Sequence, residues 1–558
     1  MNNSLNRREM LVLVATGAAG AACGAPAHGV EGRGEEQDIV AHHDAGLETT
    51  MAAQVTAASS PAYGAIPSAT GLFSAHAASG FIEAAVAAYL HPQSRFQGKS
   101  FVVDRIRLAA QFLHRVQHPD GRIDLLETNF DSTPDTGFVL HGMCTAACLA
   151  KRHQQGELLA LLAPFIQKAA EALTVGGIHT PNHRWVVCSA LAQANEIFPD
   201  PRYVRRIDQW LAEGIDIDDD GQYTERSTSV YDTICDRAFI VLAVKLQRPE
   251  LLDPVRKNLR SLMYLLHPED EVVTEISRRQ DRDQRRTARD YWFPLRYLAV
   301  KDQDGQFLEI ANHFTPDAAS LAAWMEYPEM QGPLPAAVAP PSDFEKEMPA
   351  LGIVRYRRGT ISATILNENP TFFTLRNGPA VIESVRFASA FFGKGQLASQ
   401  KYSRSGTEWV LEQDLEAPYY QPLDPPQKVT PANWAALRAL RRTSQVCHLH
   451  QRATIAETPT GFRLRMQSAG TEGVPTALEI RLREGGELAG CEPAGTGAAF
   501  LTSGFATYAA GGHRIRFGPA LHQHRYTQIR GALPKSPGTS VYLTGFTPFD
   551  HTVEFECS

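Results

Sequence analysis

Gly332-Pro333-Leu334-Pro335-Ala336-Ala337-Val338-Ala339-Pro340-Pro341 separates two kinds of sequence. Proline lacks an N–H and has a fixed φ, so neither a helix nor an interior strand runs through this stretch. Upstream, apolar residues recur at three and four positions, which predicts helices over 101–117, 136–153, 158–173, 183–197, 203–212, 231–246 and 251–265. Turn signals such as Pro119-Asp120-Gly121, Gly176-Gly177, Pro199-Asp200-Pro201 and Asp218-Asp219-Asp220-Gly221 stand between them. Successive helices joined in this way predict stacked antiparallel pairs, as in an α/α helical toroid, over residues 71–335. Downstream, short alternating runs rich in β-branched and aromatic residues predict strands over 352–356, 360–366, 372–375, 445–455, 461–467, 477–482, 514–517 and 540–546. The fold class is therefore α+β and multidomain, with an antiparallel β-sheet domain over 345–558.

The N-terminus reads as a targeting segment. Asn6-Arg7-Arg8-Glu9-Met10-Leu11 places a twin arginine before an apolar run over 10–22, which suits the core of a signal and is too short for a spanning helix. An export signal of the twin-arginine type over 1–27 is expected, with cleavage after Ala25-Pro26-Ala27 and a periplasmic or secreted product. Gly20-Ala21-Ala22-Cys23 approaches a lipoprotein box but lacks its large apolar residue, so a lipid anchor at Cys23 is the lesser alternative. Residues 28–70, rich in Ala, Gly, Ser and Thr, read as a linker. No later segment has ~20 uninterrupted apolar residues, so no integral membrane segment is expected in the mature chain.

Composition narrows the partners. Lys plus Arg is 54 against 61 Asp plus Glu, a net charge of −7, so the chain as a whole makes no electrostatic case for binding nucleic acid. The cysteines beyond Cys23 form no CxxC pair, and Cys144 and Cys148, one helical turn apart, read as small buried residues. No cofactor and no metal site is expected.

Three segments of the helical half concentrate polar chemistry. The first is Gly177-Ile178-His179-Thr180-Pro181-Asn182-His183-Arg184-Trp185, where Asn182, His183 and Arg184 gather at a helix start that favours an anion; Asn182 reads equally as a simple cap. The second runs from Asp218 to Asp232 and holds Tyr223, Glu225 and Tyr231 in a polar loop that ends at a helix; its three aspartates lack EF-hand spacing and read as a turn. The third, Glu275 to Arg286, is a dense basic patch with Arg278, Arg279 and Arg282, suited to carboxylate or sulfate groups or else a solvated charged face. His448 and His450 share one strand face without a visible third ligand.

These segments, in this order inside a helical half that precedes a β half, resemble the polysaccharide lyases with an α/α toroid and an antiparallel β-sandwich. That group includes heparinase II/III-like, oligoalginate and chondroitin AC-type lyases. The adjacent Asn182-His183 matches the Asn-His pair of oligoalginate lyases, and Tyr231, after Asp220-Gly221-Gln222-Tyr223-Thr224-Glu225, matches their catalytic tyrosine. The chain departs from the pattern in lacking the Gly-Pro-Gly-Tyr-Trp type sequence, which leaves Tyr223 as an alternative, and the His-rich segment ending in Asp.

The resemblance implies β-elimination on a uronic-acid-containing polysaccharide or oligosaccharide, leaving a 4,5-unsaturated uronate end. Asn182, with Arg184, Arg278, Arg279 or Arg282, would stabilise the charge on the uronate carboxylate. His183 or Tyr231 would take the C5 proton, and Tyr231 would protonate the leaving oxygen. Tyr223 and Glu225 would line the substrate site. Two alternatives remain at this level: a glycoside hydrolase on a related toroid using Asp131 and Asp135, and a non-catalytic carbohydrate-binding protein.

Overall fold

A computed structural model describes residues 32–316 and 319–558; the expected export signal, with Cys23, lies outside the described residues. The chain forms two compact units. One extends to Leu266 and resumes from Asp270 to Pro340; the other comprises His267–Glu269 and Pro341–Ser558.

The first unit is helical: α1 (Gly32–Ala53), α2 (Ala75–Leu90), α3 (Ser100–Val116), α4 (Thr133–Arg152), α5 (Gly156–Val175), α6 (Asn182–Ile197), α7 (Pro201–Leu211), α8 (Tyr231–Lys245), α9 (Asp253–Leu265), α10 (Trp292–Lys301), α11 (Gly305–Asn312) and α12 (Ser320–Glu326). Packing alternates between two layers. Helices α2, α4, α6, α8 and α10 pack in succession, α12 packs on α2 and α4, and α3, α5 and α7 lie outside them. Sequence explains the division. Inner α4 is buried round most of its circumference and is built from small residues, among them Gly137, Gly142, Cys144, Ala146, Ala147 and Cys148. A Cβ at Gly142 would lie 2.8 Å from Ser79 Oγ and 2.9 Å from Glu83 Oε2, so a larger residue there would displace these two side chains of α2. Outer α3 and α7 bury a single face, Val102, Ile106, Ala109 and Leu113 in one and Tyr203 and Ile207 in the other. Each large apolar side chain buried this way stabilises the unit by about 1.5–3 kcal/mol.

Helix α5 is long and apolar enough, by length and composition, to cross a membrane. Its apolar face, including Leu158, Leu162, Phe165 and Ile166, is packed in the helical core. The seven described cysteines are free thiols, with Cys144 and Cys148 fully interior.

The expected linker over 28–70 is instead largely α1. Ile39, Val40, His43, Asp44, Leu47, Met51 and Gln54 form one buried stripe at helical spacing, and its polar members disguised the period. They are buried because they are satisfied. The His43 ring meets the Ala84 carbonyl at 2.9 Å, while Asp44 accepts from Ser94 Oγ at 2.7 Å and from the Arg95 backbone N–H at 2.8 Å.

The second unit is a sandwich of two sheets. One has the strand order Glu487–Ala489, Ala506–Ala510, His513–Gly518, Phe549–Cys557, Gly461–Gly470, Thr443–Thr458, Glu408–Tyr420, Lys401–Ser405. The other runs Glu492–Pro493, Ala498–Phe500, Thr539–Phe546, Pro475–Leu482, Ala380–Ser389, Phe373–Asn377, Ile361–Leu366, Ile353–Arg358, Asp343–Met348. Neighbours are antiparallel except Ala498–Phe500 beside Thr539–Phe546. Inward residues of both sheets make one core, with Phe462 of one sheet 5.2 Å from Tyr356 and 5.4 Å from Phe373 of the other, ring centre to ring centre. His450 and His448 stand opposite Asp414 and Glu416 on the adjacent strand, and His450 Nδ1 lies 2.8 Å from Asp414 Oδ1. They are cross-strand charge partners at the surface.

Candidate active site

Pro181 already has helical backbone angles and provides no side-chain cap, so Asn182 opens α6 with its carboxamide free for other contacts. Nδ2 donates to Glu225 Oε2 and, at 3.2 Å, to Thr180 Oγ1. The other Glu225 oxygen pairs with Arg279 Nη1 at 2.8 Å. The Arg279 guanidinium lies over the Tyr231 ring, 4.5 Å from its centre, and its Nη2 donates to the Tyr231 oxygen at 3.3 Å. Gln280 Nε2 donates to the same oxygen at 2.6 Å. All three expected segments therefore converge in one chain of contacts, Asn182–Glu225–Arg279–Tyr231–Gln280.

The loops that carry these groups are tied by one buried carboxylate. Asp281, 1% exposed, accepts from Ser227 Oγ at 2.9 Å, from Ser229 Oγ at 2.7 Å and from Ser277 Oγ. Ser227 Oγ in turn accepts the Tyr231 backbone N–H at 3.2 Å, and the Glu225 carbonyl accepts the Arg278 N–H at 3.0 Å. Asp281 thus sets the start of α8 against the 277–281 turn. The Asp218–Gly221 turn beneath it requires glycine: Gly221 has φ +86°, and a Cβ there would meet the Lys257 carbonyl oxygen at 2.5 Å.

His183 sits beside Asn182, 6% exposed, with its ring 4.6 Å from that of His179. Burial, helped by His179 and Arg279 and opposed by Asp135, pushes its pKa down to about 4. The imidazole is neutral at neutral pH. Burial pushes the Glu225 carboxyl up, against the Asn182 hydrogen bond and Arg279, which pull it down. Two buried atoms, Asn182 Oδ1 and His183 Nδ1, have no hydrogen-bond partner among the described residues. Polar atoms left unpaired at such depth cost stability, and a ligand would satisfy them.

Other expected site residues lie elsewhere. Tyr223 is 2% exposed, its hydroxyl donating to Asp236 Oδ1 at 2.9 Å, and burial pushes its phenol well above the usual range, so it has no face for a substrate. Arg184 is held by Asp216 at 2.7 Å and Glu213 at 3.3 Å, which occupy its fork, and stacks on Trp185. Arg278 is exposed and donates to the Thr224 carbonyl at 3.1 Å; Arg282, also exposed, stands 3.9 Å from Asp283. Of the expected arginines, Arg279 alone meets Tyr231 and Glu225 among the described contacts. Gln280 and Asp281 join the site as well, although in the sequence they are one amide and one carboxylate within a charged run.

Asp131 and Asp135 part company. Asp131 turns toward His118 and Asp124, whereas Asp135 accepts from Asn129 at 3.0 Å and from Ser132, and lies 3.6 Å from His76. Two groups have ligand atoms near enough for a metal ion among the described residues, His118–Asp124–Asp131 and Cys148–Glu196–Glu326. Neither contains Asn182, His183 or Tyr231.

No protein-family model matches the chain, and no curated protein matches it in sequence. Solved structures do match in fold. A chondroitin AC lyase from Streptomyces coelicolor A3, solved with chondroitin sulphate, superposes with a TM-score of 0.54 at 13% identity, over 99% of this chain and 82% of that one. A Paenibacillus xanthan lyase gives 0.52 at 10% identity, over 87% of this chain and 51% of that one. The chain has the fold of these polysaccharide lyases, a helical toroid followed by an antiparallel β-sandwich.

Proposed function

We propose that this protein is a polysaccharide lyase that cleaves a uronate-containing glycan by β-elimination. The observation that carries the reading is the Tyr231 oxygen. Gln280 and Arg279 both donate to it, so a proton on that oxygen points to a third partner, which a bound sugar can supply.

The C5 proton of a uronate is weakly acidic because its removal adds charge beside a carboxylate. Donors aimed at that carboxylate lower the barrier. One Asn182 amide hydrogen is fixed on Glu225; the other, 3.2 Å from the Thr180 hydroxyl, is the one a ligand carboxylate competes for. Arg279 adds N–H donors to the same cluster, its charge shared with Glu225. Tyr231, having first given its own proton to solvent, takes the C5 proton as the C5–H bond breaks and returns that proton to the O4 oxygen as the C4–O bond breaks, leaving a 4,5 double bond, a new hydroxyl and the phenolate as it began. With a pKa of about 4, His183 is the weaker base and serves as a neutral hydrogen-bonding partner. The twin arginine at Arg7-Arg8 adds export to the periplasm or medium to this reading.

The test is a panel of uronate polysaccharides followed by ultraviolet absorbance of the conjugated product. Tyr231→Phe should lose about 10²–10⁴-fold in rate, and Asn182→Ala about 10²–10³-fold. New reducing ends without absorbance would replace elimination by hydrolysis, and binding without turnover would make the protein a carbohydrate binder.

A further inference from the structure

A second polar wall stands on the other side of His183. The Phe138 ring lies between two imidazoles, its centre 6.2 Å from that of His183 and 6.4 Å from that of His76. His76 Nε2 is 3.6 Å from Asp135 Oδ1. Asp135 acts electrostatically on both imidazoles and Glu127 on His76. Burial nevertheless outweighs both carboxylates at His76 and lowers its pKa, so the ring brings no positive charge at neutral pH. The wall also has unmet hydrogen-bonding capacity. His76 Nδ1 and Glu127 Oε2 are buried without partners among the described residues, and His183, 6% exposed, has its Nδ1 in the same state. Sugar hydroxyls, which both donate and accept, match such atoms; sulfate and carboxylate groups only accept and would face two carboxylates.

We propose that Asp135, Glu127 and His76 determine specificity by admitting a neutral, hydroxyl-bearing sugar beside the uronate and rejecting an anionic one. The substrate is then a heteropolysaccharide in which uronate is flanked by uncharged sugar, rather than a polyuronate or a chain sulfated at the flanking residue. The inference rests on the lyase reading for the position of the uronate at Asn182.

Three tetrasaccharide probes test it: glucuronate alternating with an uncharged hexosamine, the same chain sulfated on the hexosamine, and an all-uronate chain. Calorimetric affinity and initial elimination rate are measured for the native protein, Asp135→Asn and Glu127→Gln, with thermal unfolding to establish that each variant is folded. The native protein should favour the uncharged-hexosamine probe about ten-fold or more over both others, and each variant should narrow that ratio by about three-fold or more. Preference in affinity without elimination would support the selective wall and sink the lyase reading. Elimination with no preference, with preference for an anionic flank, or with the ratio unchanged in both variants would overturn the wall and leave the lyase reading standing. Failure of all three probes to bind would overturn both.

Discussion

Two buried polar clusters in the helical unit follow opposite plans. In the first, Lys245 of α8 pairs with Glu326 of α12 at 2.8 Å and with Glu196 of α6. Glu326 also accepts from Thr145 of α4 at 2.8 Å and from Gln193 of α6 at 3.2 Å, while Arg152 reaches the Glu326 carbonyl at 2.6 Å and Glu196 at 3.4 Å. Two cations face two carboxylates, and four helices are joined through them. In the second, Glu225 and Arg279 likewise cancel, but Asn182 Oδ1 and His183 Nδ1 are left without partners among the described residues and the Tyr231 oxygen receives two donors. The first cluster uses its polar groups to hold helices together. Both clusters leave buried atoms without a hydrogen bond among the described residues, Gln193 Oε1 and Lys245 Nζ in the first as Asn182 Oδ1 and His183 Nδ1 in the second. What separates them is that the first is built on charge pairs between helices and the second gathers an amide, an imidazole and a phenol oxygen with two donors.

The contrast can be broken most directly at Lys245. Lys245→Ala strands the interior carboxylate of Glu326 and should cost about 3–5 kcal/mol of unfolding free energy in denaturant titration, with activity per folded molecule retained. A cost below about 1 kcal/mol would mean the brace is no more than a surface-like pair. His183 sharpens the contrast through pH. Its pKa is about 4 in the folded protein against the ordinary histidine value of 6.5 in an unfolded chain, so between those limits the unfolded state binds the extra proton and stability falls as pH drops. The native protein should lose about 2 kcal/mol more than His183→Gln between pH 7 and pH 5, read from paired unfolding curves. Equal losses would mean that His183 is not held neutral by its burial. The smallest effect is expected at Asp281, which positions Tyr231 through Ser227. Asp281→Asn should lower kcat about ten-fold with little change in KM, whereas a rise in KM alone would assign Asp281 to substrate binding.

The elements most legible in the sequence are those whose buried face is purely apolar. Helices α3, α5 and α7 follow the apolar period, and the strands of the sandwich follow alternation. Helix α1 escaped because His43 and Asp44 occupy core positions, and only their partners on α2 and the 94–95 turn make that acceptable. The site shows the same limit. Asn182, His183, Tyr231, Glu225 and Arg279 are conspicuous as residue types in polar segments. Tyr223 is just as conspicuous, yet its ring turns inward to Asp236, because a tyrosine in a loop does not disclose which side of the backbone faces the core. Gln280 and Asp281 carry no signal, since one amide and one carboxylate in a charged run look like solvated surface.

The division into a helical half and a β half is written in the chain itself, because hydrophobic periods of about 3.6 and 2 are local properties. So is the choice of segments that hold the reactive residue types. Which of those residues meet is a matter of tertiary packing. Asn182 lies 43 residues from Glu225, and Tyr231 lies 48 from Arg279 and 49 from Gln280. Contacts over such separations depend on how helices stack and how loops are tied at Asp281, and their energies outweigh the local preference of any one segment only once the core has formed.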